Sequence, residues 1–373
     1  MIRIGVLTSS RADYGIYLPL LKALRSDNQF DLKLVVFGTH LSKYHGNTIT
    51  QIEEDGFDVF QKIESFIIGD SSYSVSTSFS LTALKFTEFW ELNKSRFDFI
   101  IALGDRFELA AAVAASIPFR IKIAHIHAGE TSLGAIDNIY RHTISLASSL
   151  HFVSAEPFEH RLMKLLDNPQ SKIFNIGSLS LENLSSFQIL SIQEFQTKWG
   201  IDLSIDTILL TVHPETADLA RNQINCNELV AAVESLSQAF QIVITMPNAD
   251  TSSLLYRDAY ERLAHFNKSI KVVENFGTIS YFSCMSYCRL MIGNTSSGII
   301  EAASFNKYVL NLGDRQKNRL CSDNVIHVPF ERNSIISKTL KFIQKDYEGE
   351  NIYFRSNPSA KVIEIIKNEY ENI

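Results

Sequence analysis

The sequence has no apolar run that approaches the roughly 20 residues needed for a membrane-spanning helix. Its N-terminal apolar run is short and interrupted by Arg3, so it lacks the longer hydrophobic region of a secretory signal. These two absences predict a cytoplasmic protein with no membrane partner.

Cysteine is scarce, with four residues in the chain and no Cys-x-x-Cys pair. Cys284 and Cys288 lie one helical turn apart, while Cys226 and Cys321 are isolated. This pattern argues against a structural zinc site or a redox motif and favours buried thiols that pack as small apolar side chains. The dinucleotide signature Gly-x-Gly-x-x-Gly is also missing after the first strand, so no nicotinamide cofactor is predicted.

The chain has no excess of basic residues, since 35 Lys and Arg stand against 41 Asp and Glu for a net charge of −6. That balance gives no support to nucleic-acid binding, which usually uses a basic face. What the chain does have is 373 residues of ordinary globular composition, 45% hydrophobic and 20% charged. This length exceeds a single hydrophobic core and predicts two domains.

Short apolar runs alternate with segments of helical periodicity along the whole chain. In the first half we predict strands at 2–8, 32–37, 97–103, 121–125, 151–154 and 172–176, and helices at 14–24, 80–94 and 107–116. In the second half we predict strands at 207–212, 241–245, 271–273, 289–292, 308–312 and 325–328. Apolar strands separated by helices are typical of parallel sheets covered on both faces, so the predicted class is α/β with two doubly wound, Rossmann-like domains.

The Ser-rich segment 180–196 separates the two series and is the predicted linker. We therefore predict an N-terminal domain over residues 1–180 and a C-terminal domain over residues 181–355. In such a pair the expected ligand site is the cleft that the two domains face, at the carboxyl ends of the strands.

Charged residues follow three predicted strands of the first half. Arg11 follows the first strand, just before Asp13-Tyr14-Gly15 open a helix. Helix-start N–H groups and a guanidinium there suit a phosphate, although a helix cap with a surface arginine explains them equally well. Asp105 and Glu130 follow the strands 97–103 and 121–125, and Asp137 comes soon after. If these carboxylates converge, some of their pKa values rise, which suits proton transfer at a weakly acidic C–H; solvated loop charges are the alternative.

Two histidines, His125 and His127, are expected on one face of a strand because of its two-residue period. A metal pair is disfavoured because no third or fourth ligand stands at a fixed spacing. His127 is the candidate for polarising a bound group.

In the second half, His213 ends the strand 207–212, where it suits a phosphate contact or proton donation, or simply covers the strand end. Asn248 follows the strand 241–245, where a turn former is the strong alternative. Arg315 follows the strand 308–312 and is placed to close a site there.

The most informative local motif is Asn294-Thr-Ser-Ser-Gly-Ile-Ile-Glu301, which follows a strand and opens a helix. Ser296, Ser297 and Gly298 are predicted to present N–H and hydroxyl groups to a diphosphate. Glu301, one turn further on, is placed to accept the two ribose hydroxyls of a nucleotide. A well-capped helix is the alternative, and the neighbouring strand ends favour nucleotide binding.

Taken together and in order, these stretches resemble the hydrolysing UDP-N-acetylglucosamine 2-epimerases of sialic acid synthesis, over nearly the whole chain. The resemblance rests on Thr8-Ser-Ser-Arg-Ala-Asp-Tyr-Gly15, Gly104-Asp-Arg106, His125-Ile-His-Ala-Gly-Glu130, Arg141-His142, Asn175-Ile-Gly-Ser178, His213-Pro-Glu-Thr216, Asn248-Ala-Asp-Thr251, Asn294-Thr-Ser-Ser-Gly-Ile-Ile-Glu301 and Gly313-Asp-Arg-Gln316.

The resemblance implies a glycosyltransferase B-type fold whose C-terminal helix, at residues 356–373, returns to the first domain. It implies that UDP-N-acetylglucosamine and water give N-acetylmannosamine and UDP, by elimination of UDP to a 2-acetamidoglucal and then hydration, with no metal or other cofactor. The first domain is then the sugar and catalytic side, and the second binds UDP. The implied catalytic residues are Asp105, His127, Glu130, Asp137 and His213. The implied UDP-binding residues are Arg11, His213, Asn248, Ser296, Ser297, Gly298, Glu301 and Arg315.

One position departs from the family pattern, because many relatives carry an acidic residue where this chain has Asn138. Any acid or base role of that carboxylate then passes to Asp137 or is lost. The resemblance also implies a homodimer or homotetramer. Alternatives stay open. One is the same reaction on UDP-N,N′-diacetylbacillosamine for legionaminic acid synthesis, and a non-hydrolysing epimerase is a near variant. More distant are a UDP-sugar glycosyltransferase and a nucleotide-sugar sensor without catalysis.

Overall fold

The structure is a computed structural model that describes residues 1–131, 135–182, 184, 188–216, 218–248 and 250–372. The chain divides into two units, each built around its own parallel sheet. Unit 1 comprises Met1–Glu130, Asp137–Ser186 and Tyr353–Ile373, and unit 2 comprises Thr131–Ile136 and Phe187–Ile352.

Unit 1 contains a seven-stranded parallel sheet in the order β3-β2-β1-β4-β5-β6-β7. Its strands are β1 (Ile2–Thr8), β2 (Phe30–Phe37), β3 (Val59–Ile63), β4 (Phe99–Leu103), β5 (Ile123–Ile126), β6 (Leu150–Val153) and β7 (Lys172–Asn175). Its helices are α1 (Arg11–Ser26), α2 (Ile49–Glu54), α3 (Ser72–Asn93), α4 (Phe107–Ser116), α5 (Asp137–Leu146) and α6 (Glu156–Leu166), together with the C-terminal helix Pro358–Glu371.

The alternation of side chains along β1 explains why helices cover both faces of this sheet. Val6 packs in the core beneath α1 and the C-terminal helix, whereas its neighbour Leu7 packs in the opposite core beneath α3, α4 and α5. Both side chains are fully buried.

The C-terminal helix belongs to unit 1 and is tied to it by polar contacts at both ends. The Glu182 carboxylate accepts from the N–H and the hydroxyl of Ser359 at the helix start. Near the helix end, Lys367 pairs with Asp27 at 2.6 Å. Val362 and Ile366 of this helix are fully buried between these contacts.

Unit 2 repeats the plan with a six-stranded parallel sheet in the order β10-β9-β8-β11-β12-β13. Its strands are β8 (Thr207–Thr211), β9 (Gln241–Thr245), β10 (Ile270–Val273), β11 (Leu290–Gly293), β12 (Val309–Leu312) and β13 (Val325–Val328). Its helices are α7 (Ile192–Trp199), α8 (Asn222–Leu236), α9 (Ser253–Phe266), α10 (Gly277–Tyr287), α11 (Ser296–Ile300) and α12 (Arg332–Phe342), and the helix Pro358–Glu371 of unit 1 is α13.

The predicted α/β class, with two parallel-sheet domains, is confirmed. β3 was not predicted, because its sequence Val-Phe-Gln-Lys-Ile is short and puts exposed Gln61 and Lys62 on an edge strand. α3 begins eight residues before the predicted 80–94 helix, since the Ser71 side chain caps a Ser-rich first turn that the sequence pattern assigns to a loop. The predicted linker, 180–196, includes residues 183 and 185–187, which lie outside the described part of the chain, and α7 begins within it.

Two further sequence expectations concern membrane-spanning helices and the cysteines. In the described residues, no helix is long and apolar enough to cross a membrane. Cys226, Cys284 and Cys288 are buried and Cys321 is half-buried, and none forms a disulfide. Burial raises the pKa of the Cys226 thiol to about 11 and that of Cys288 to about 12, so both behave as inert apolar side chains.

Candidate active site

The carboxyl ends of β4 and β5 bring three predicted residues of unit 1 together. After β4 the chain turns through Gly104, whose φ of +86° is in the left-handed region, and presents Asp105. After β5 it turns through His127, with a φ of +62°, and reaches Glu130. A positive φ is uncommon for a residue with a side chain, so the backbone at His127 is held by its surroundings.

Arg141 on α5 joins these residues into what we call the carboxylate cluster (Asp105, His127, Glu130 and Arg141). Its guanidinium donates to the Asp105 carboxylate and, at 2.9 Å, to the backbone carbonyl of His127. Its Nη1 also lies 3.7 Å from Glu130 Oε2. Arg141 is buried and Glu130 is fully buried, so the arginine supplies the positive charge that a buried carboxylate needs.

His127 and Glu130 are also in direct contact. His127 Nδ1 lies 3.0 Å from Glu130 Oε1, and the Ser154 hydroxyl donates to the same oxygen at 2.6 Å. On the other side of the ring, His127 Nε2 lies 3.5 Å from the Ser178 hydroxyl. Because the carboxylate accepts, Nδ1 carries a proton, and in the neutral ring Nε2 is then the acceptor.

His125 does not share the environment of His127, because β5 ends at Ile126 before the second histidine. Its Nε2 lies 2.8 Å from the Gly104 carbonyl, which can only accept, and its Nδ1 lies 3.0 Å from the Ser145 hydroxyl. Burial lowers the pKa of His125 to about 3. His125 is therefore a neutral core residue that ties the turn after β4 to α5.

The other charged residues of this region have separate places. Arg106 pairs with Glu108 through two hydrogen bonds of 3.0 and 3.1 Å, and burial raises the pKa of the Glu108 carboxyl. Asp137 is the first residue of α5, half-buried and one turn before Arg141. In the described residues, no group of three or more His, Cys, Asp or Glu side chains is arranged to hold a metal ion.

Arg11 is the first residue of α1 and is half-buried. The helix start beside it is capped by the chain itself: the Asp13 carboxylate accepts from the N–H groups of Ser9 and Ser10, each at 2.7 Å. Two N–H groups at the start of α1, which were candidates for binding a phosphate, therefore already bond a carboxylate. This arrangement corresponds to the alternative interpretation of this segment as a helix cap.

In unit 2, four loops after strands are joined in what we call the strand-end cluster (His213, Asn248, Asn294, Arg315 and Gln316). The Asn294 side chain pairs with both backbone groups of His213, at 2.7 and 2.8 Å. The Asn248 backbone N–H donates to His213 Nδ1 at 3.1 Å. The motif that contains Asn248 includes residue 249, which lies outside the described residues.

Arg315 and Gln316 reach the same point from the loop after β12. Gln316 Nε2 donates to the Asn294 carbonyl at 2.9 Å, and Arg315 Nη1 donates to it at 3.3 Å. Arg315 also faces Asp250 at 3.4 Å, so its charge is already partly balanced. β8 and β11 are neighbours where the strand order reverses, which is where ligands bind in open α/β sheets.

The helix predicted after β11 is present as α11, a single short turn. Thr295 is its cap and accepts from the Ser297 N–H at 3.4 Å, and Ser296 is the first residue of the helix. Glu301 is buried, and its N–H bonds the Ser297 carbonyl at 2.9 Å, which places the two residues one turn apart as predicted. The Tyr281 phenol on α10 lies beside Ser297, and burial raises its pKa.

Comparison with known proteins decides the family. The family described as UDP-N-acetylglucosamine 2-epimerase matches residues 22–367. The chain belongs to this family. The Polysialic acid biosynthesis protein P7 of Escherichia coli is 34% identical, with 98% of this chain and 94% of the relative covered. A UDP-N,N′-diacetylbacillosamine 2-epimerase (hydrolyzing) of Legionella pneumophila is 31% identical, with 98% and 96% covered.

Among solved structures, the UDP-GlcNAc 2-epimerase from Neisseria meningitidis bound to UDP-GlcNAc has a TM-score of 0.82 at 18% identity, covering 98% of this chain and 100% of that one. That similarity shows the shared fold. Family membership supports the coarser sequence prediction of a UDP-sugar 2-epimerase.

For this member of the family, the structure groups the predicted residues within each unit. Asp105, His127 and Glu130 are linked through Arg141. Asn294 contacts His213 and Arg315, and Asn248 contacts His213. Sequence analysis gave no role to four residues of these networks: Arg141, Ser154, Ser178 and Asn294. Ser154 directly follows β6 and Asn294 directly follows β11, so their position at strand ends is the signal that points to them.

Proposed function

We propose that this epimerase hydrolyses UDP-N-acetylglucosamine to N-acetylmannosamine and UDP. The observation that carries the proposal is the carboxylate cluster, in which a buried arginine holds two carboxylates beside a histidine at adjacent strand ends. A nucleotide-binding protein without proton chemistry has no need of this costly arrangement. Family membership supports the same reaction class.

Loss of UDP is the first step of the proposed reaction. The C1–O bond breaks, and its electron pair leaves with the diphosphate, whose charge increases. His213 and Arg315 of the strand-end cluster, together with Arg11 and the Ser296–Gly298 turn, are the groups that we assign to that charge. Asn248 is assigned to the same UDP, and Glu301 to the ribose hydroxyls.

The C2 proton must leave as UDP departs, and the resulting double bond joins C1 to C2 in a 2-acetamidoglucal. We assign this proton transfer and the later return of a proton to C2 to the carboxylates Asp105, Glu130 and Asp137. Water supplies the hydroxyl at C1. His127 holds Glu130 through its Nδ1–H, so that carboxylate is oriented before the substrate binds.

Asn138 leaves α5 with one carboxylate, Asp137, where many relatives carry two. Asp137 lies one turn from Arg141, on the helix that contributes to the carboxylate cluster. We therefore keep Asp137 as the acid or base of this segment.

The experiment incubates the protein with UDP-N-acetylglucosamine in deuterated water and follows the products by NMR. N-acetylmannosamine carrying deuterium at C2, together with free UDP, is the expected result. UDP-N-acetylmannosamine without free UDP identifies a non-hydrolysing epimerase instead. Intact substrate rejects both epimerase activities on this nucleotide sugar. Transfer of the sugar with C2 unchanged, once an acceptor is added, identifies a glycosyltransferase.

A second substrate, UDP-N,N′-diacetylbacillosamine, is favoured by one observation. The Legionella relative that carries this activity in its name is 31% identical over almost the whole of both chains. A side-by-side measurement of kcat/KM on the two nucleotide sugars decides between them.

The homodimer or homotetramer implied by the sequence stays a prediction. Light scattering on the purified protein, with and without UDP, tests it directly.

A further inference from the structure

The amide of Asn294 holds the backbone of His213 by a two-point contact. His213 N–H donates to Asn294 Oδ1 at 2.7 Å, and Asn294 Nδ2 donates to the His213 carbonyl at 2.8 Å. Asn294 is fully buried and His213 is 6% exposed. The contact joins the ends of β8 and β11, so the histidine has little freedom to move away from this strand end.

The His213 ring is fixed by a second contact. The backbone N–H of Asn248 lies 3.1 Å from His213 Nδ1. A backbone N–H can only donate, so Nδ1 must be the acceptor and, in the neutral ring, Nε2 carries the proton. The loop after β9 thereby determines which histidine nitrogen is a donor.

The remaining polar group of Asn294 is also used. Its backbone carbonyl accepts from Gln316 Nε2 at 2.9 Å and from Arg315 Nη1 at 3.3 Å. Both contacts come from the loop after β12. Asn294 therefore bonds both the loop that carries His213 and the loop that carries Arg315. These are the two side chains of unit 2 that we expect to contact the diphosphate through a charge or a titratable group.

We propose that Asn294 is a positioning residue, which together with the Asn248 peptide N–H presets His213 as an Nε2–H donor for the diphosphate of a nucleotide sugar. A donor that is already oriented loses no freedom when negative charge develops on the leaving group. The contact between His213 Nε2–H and a diphosphate rests on the proposed function. The tautomer of His213, and the contacts with Asn248 and Asn294 that set it, do not.

The first test needs no substrate. The ring nitrogens of ¹⁵N-labelled protein are observed by long-range ¹H–¹⁵N NMR at a pH where the rings are neutral, and the His213 signals are assigned by their loss in His213→Gln. A single Nε2–H tautomer is expected. An Nδ1–H tautomer, or a fast mixture of the two, overturns the proposal.

Two substitutions at one position separate the backbone from the side chain. Asn248→Pro removes the peptide N–H that bonds Nδ1, so the His213 ring is expected to become a tautomer mixture. Asn248→Ala keeps that N–H and is expected to keep the single tautomer. If both variants retain it, the Asn248 peptide does not set the ring.

Asn294→Ala tests the positioning residue itself. We expect loss of the single tautomer and a fall in kcat/KM of about 100-fold, as for a misplaced catalytic contact. The matched control is Asn324→Ala, which removes another fully buried asparagine of unit 2 whose amide bonds the Lys307 carbonyl at 2.9 Å. The control is expected to keep both the tautomer and the activity.

These measurements distinguish the two ways to fail. Wild-type protein with the Nε2–H tautomer but no turnover of any UDP-sugar rejects the proposed function and leaves the assignment of Asn294 intact. Turnover together with an Asn294→Ala variant equal to the Asn324→Ala control rejects the positioning role. If Asn294→Ala does not fold, the wild-type spectrum and the Asn248 pair still decide.

Discussion

The guanidinium of Arg141 donates to the Asp105 carboxylate. Only 3% of the arginine side chain is exposed, against 24% of the aspartate side chain. A buried guanidinium is costly unless several acceptors surround it. Arg141 meets this need with Asp105, the His127 carbonyl and the nearby Glu130. The contact therefore organises the carboxylate cluster.

The carboxylates should matter to turnover far more than to UDP binding. Glu130→Gln and Asp105→Asn keep the shape of each side chain but remove its ability to take a proton, so kcat should fall by about 10²–10⁴-fold. UDP affinity, measured by calorimetry, should change much less. The control is Glu108→Gln, which alters another fully buried carboxylate that pairs with Arg106 instead. Equal losses in affinity and turnover would show a binding role.

Breaking the arginine contact from one side should destabilise the fold. Arg141→Met leaves Glu130 buried without its positive neighbour, at a cost of about 3–5 kcal/mol in the free energy of unfolding. The double variant Arg141→Met with Glu130→Gln should regain part of that loss, since the uncompensated charge is gone.

Urea denaturation measures both effects. Arg257→Met is the control, because it removes an arginine whose partner Glu274 is 46% exposed and whose loss should cost no more than about 1 kcal/mol. A double variant less stable than Arg141→Met alone would contradict the assigned charge compensation.

Acid should weaken the fold through its buried neutral histidines. Burial lowers the pKa of His125 to about 3 and that of His40 to about 4, both below the value of about 6.5 for an unfolded chain. Between its folded and unfolded pKa values, each histidine binds more protons in the unfolded chain than in the folded one. Its contribution to the free energy of unfolding is therefore fully present above pH 6.5 and falls as the pH drops towards 4.

Each of the two histidines should cost about 2 kcal/mol between pH 7 and pH 5. His125→Gln, which keeps a donor for the Gly104 carbonyl, should flatten this pH dependence. His265→Gln, at an exposed histidine of α9, should leave it unchanged. An unaltered slope in His125→Gln would show that the acid sensitivity arises elsewhere.

The sequence predicted most of the strands because a parallel sheet that is buried on both faces needs continuous apolar runs. It failed at β3, where an edge strand tolerates Gln61 and Lys62, and at the first turns of α3, where serine caps replace apolar periodicity. In both places local polarity conceals an element that tertiary packing stabilises.

Candidate site residues could be selected from the sequence where polar groups follow a strand, as for Asp105, Glu130 and His213. What pairs with them could not be, because Arg141 and Asn294 are recognised only by the residues they contact in space. His125 illustrates the opposite case: its spacing from His127 predicted a shared strand face, and its contacts with Gly104 and Ser145 make it a core residue.

Two glycines at strand ends should respond differently to alanine. At Gly293 a Cβ atom would lie 2.0 Å from the Thr211 carbonyl oxygen, which is backbone of the neighbouring strand β8. Gly293→Ala must push β8 and β11 apart, so it should cost about 3 kcal/mol or more and separate His213 from Asn294. At Gly104 a Cβ atom meets nothing within 4 Å, and only the φ of +86° opposes a side chain, so Gly104→Ala should cost about 1–2 kcal/mol.

Urea denaturation orders the two variants, and UDP calorimetry should show the greater loss of affinity in Gly293→Ala. A Gly104→Ala protein less stable than Gly293→Ala would contradict the close approach of β8 and β11 as the reason for glycine at 293.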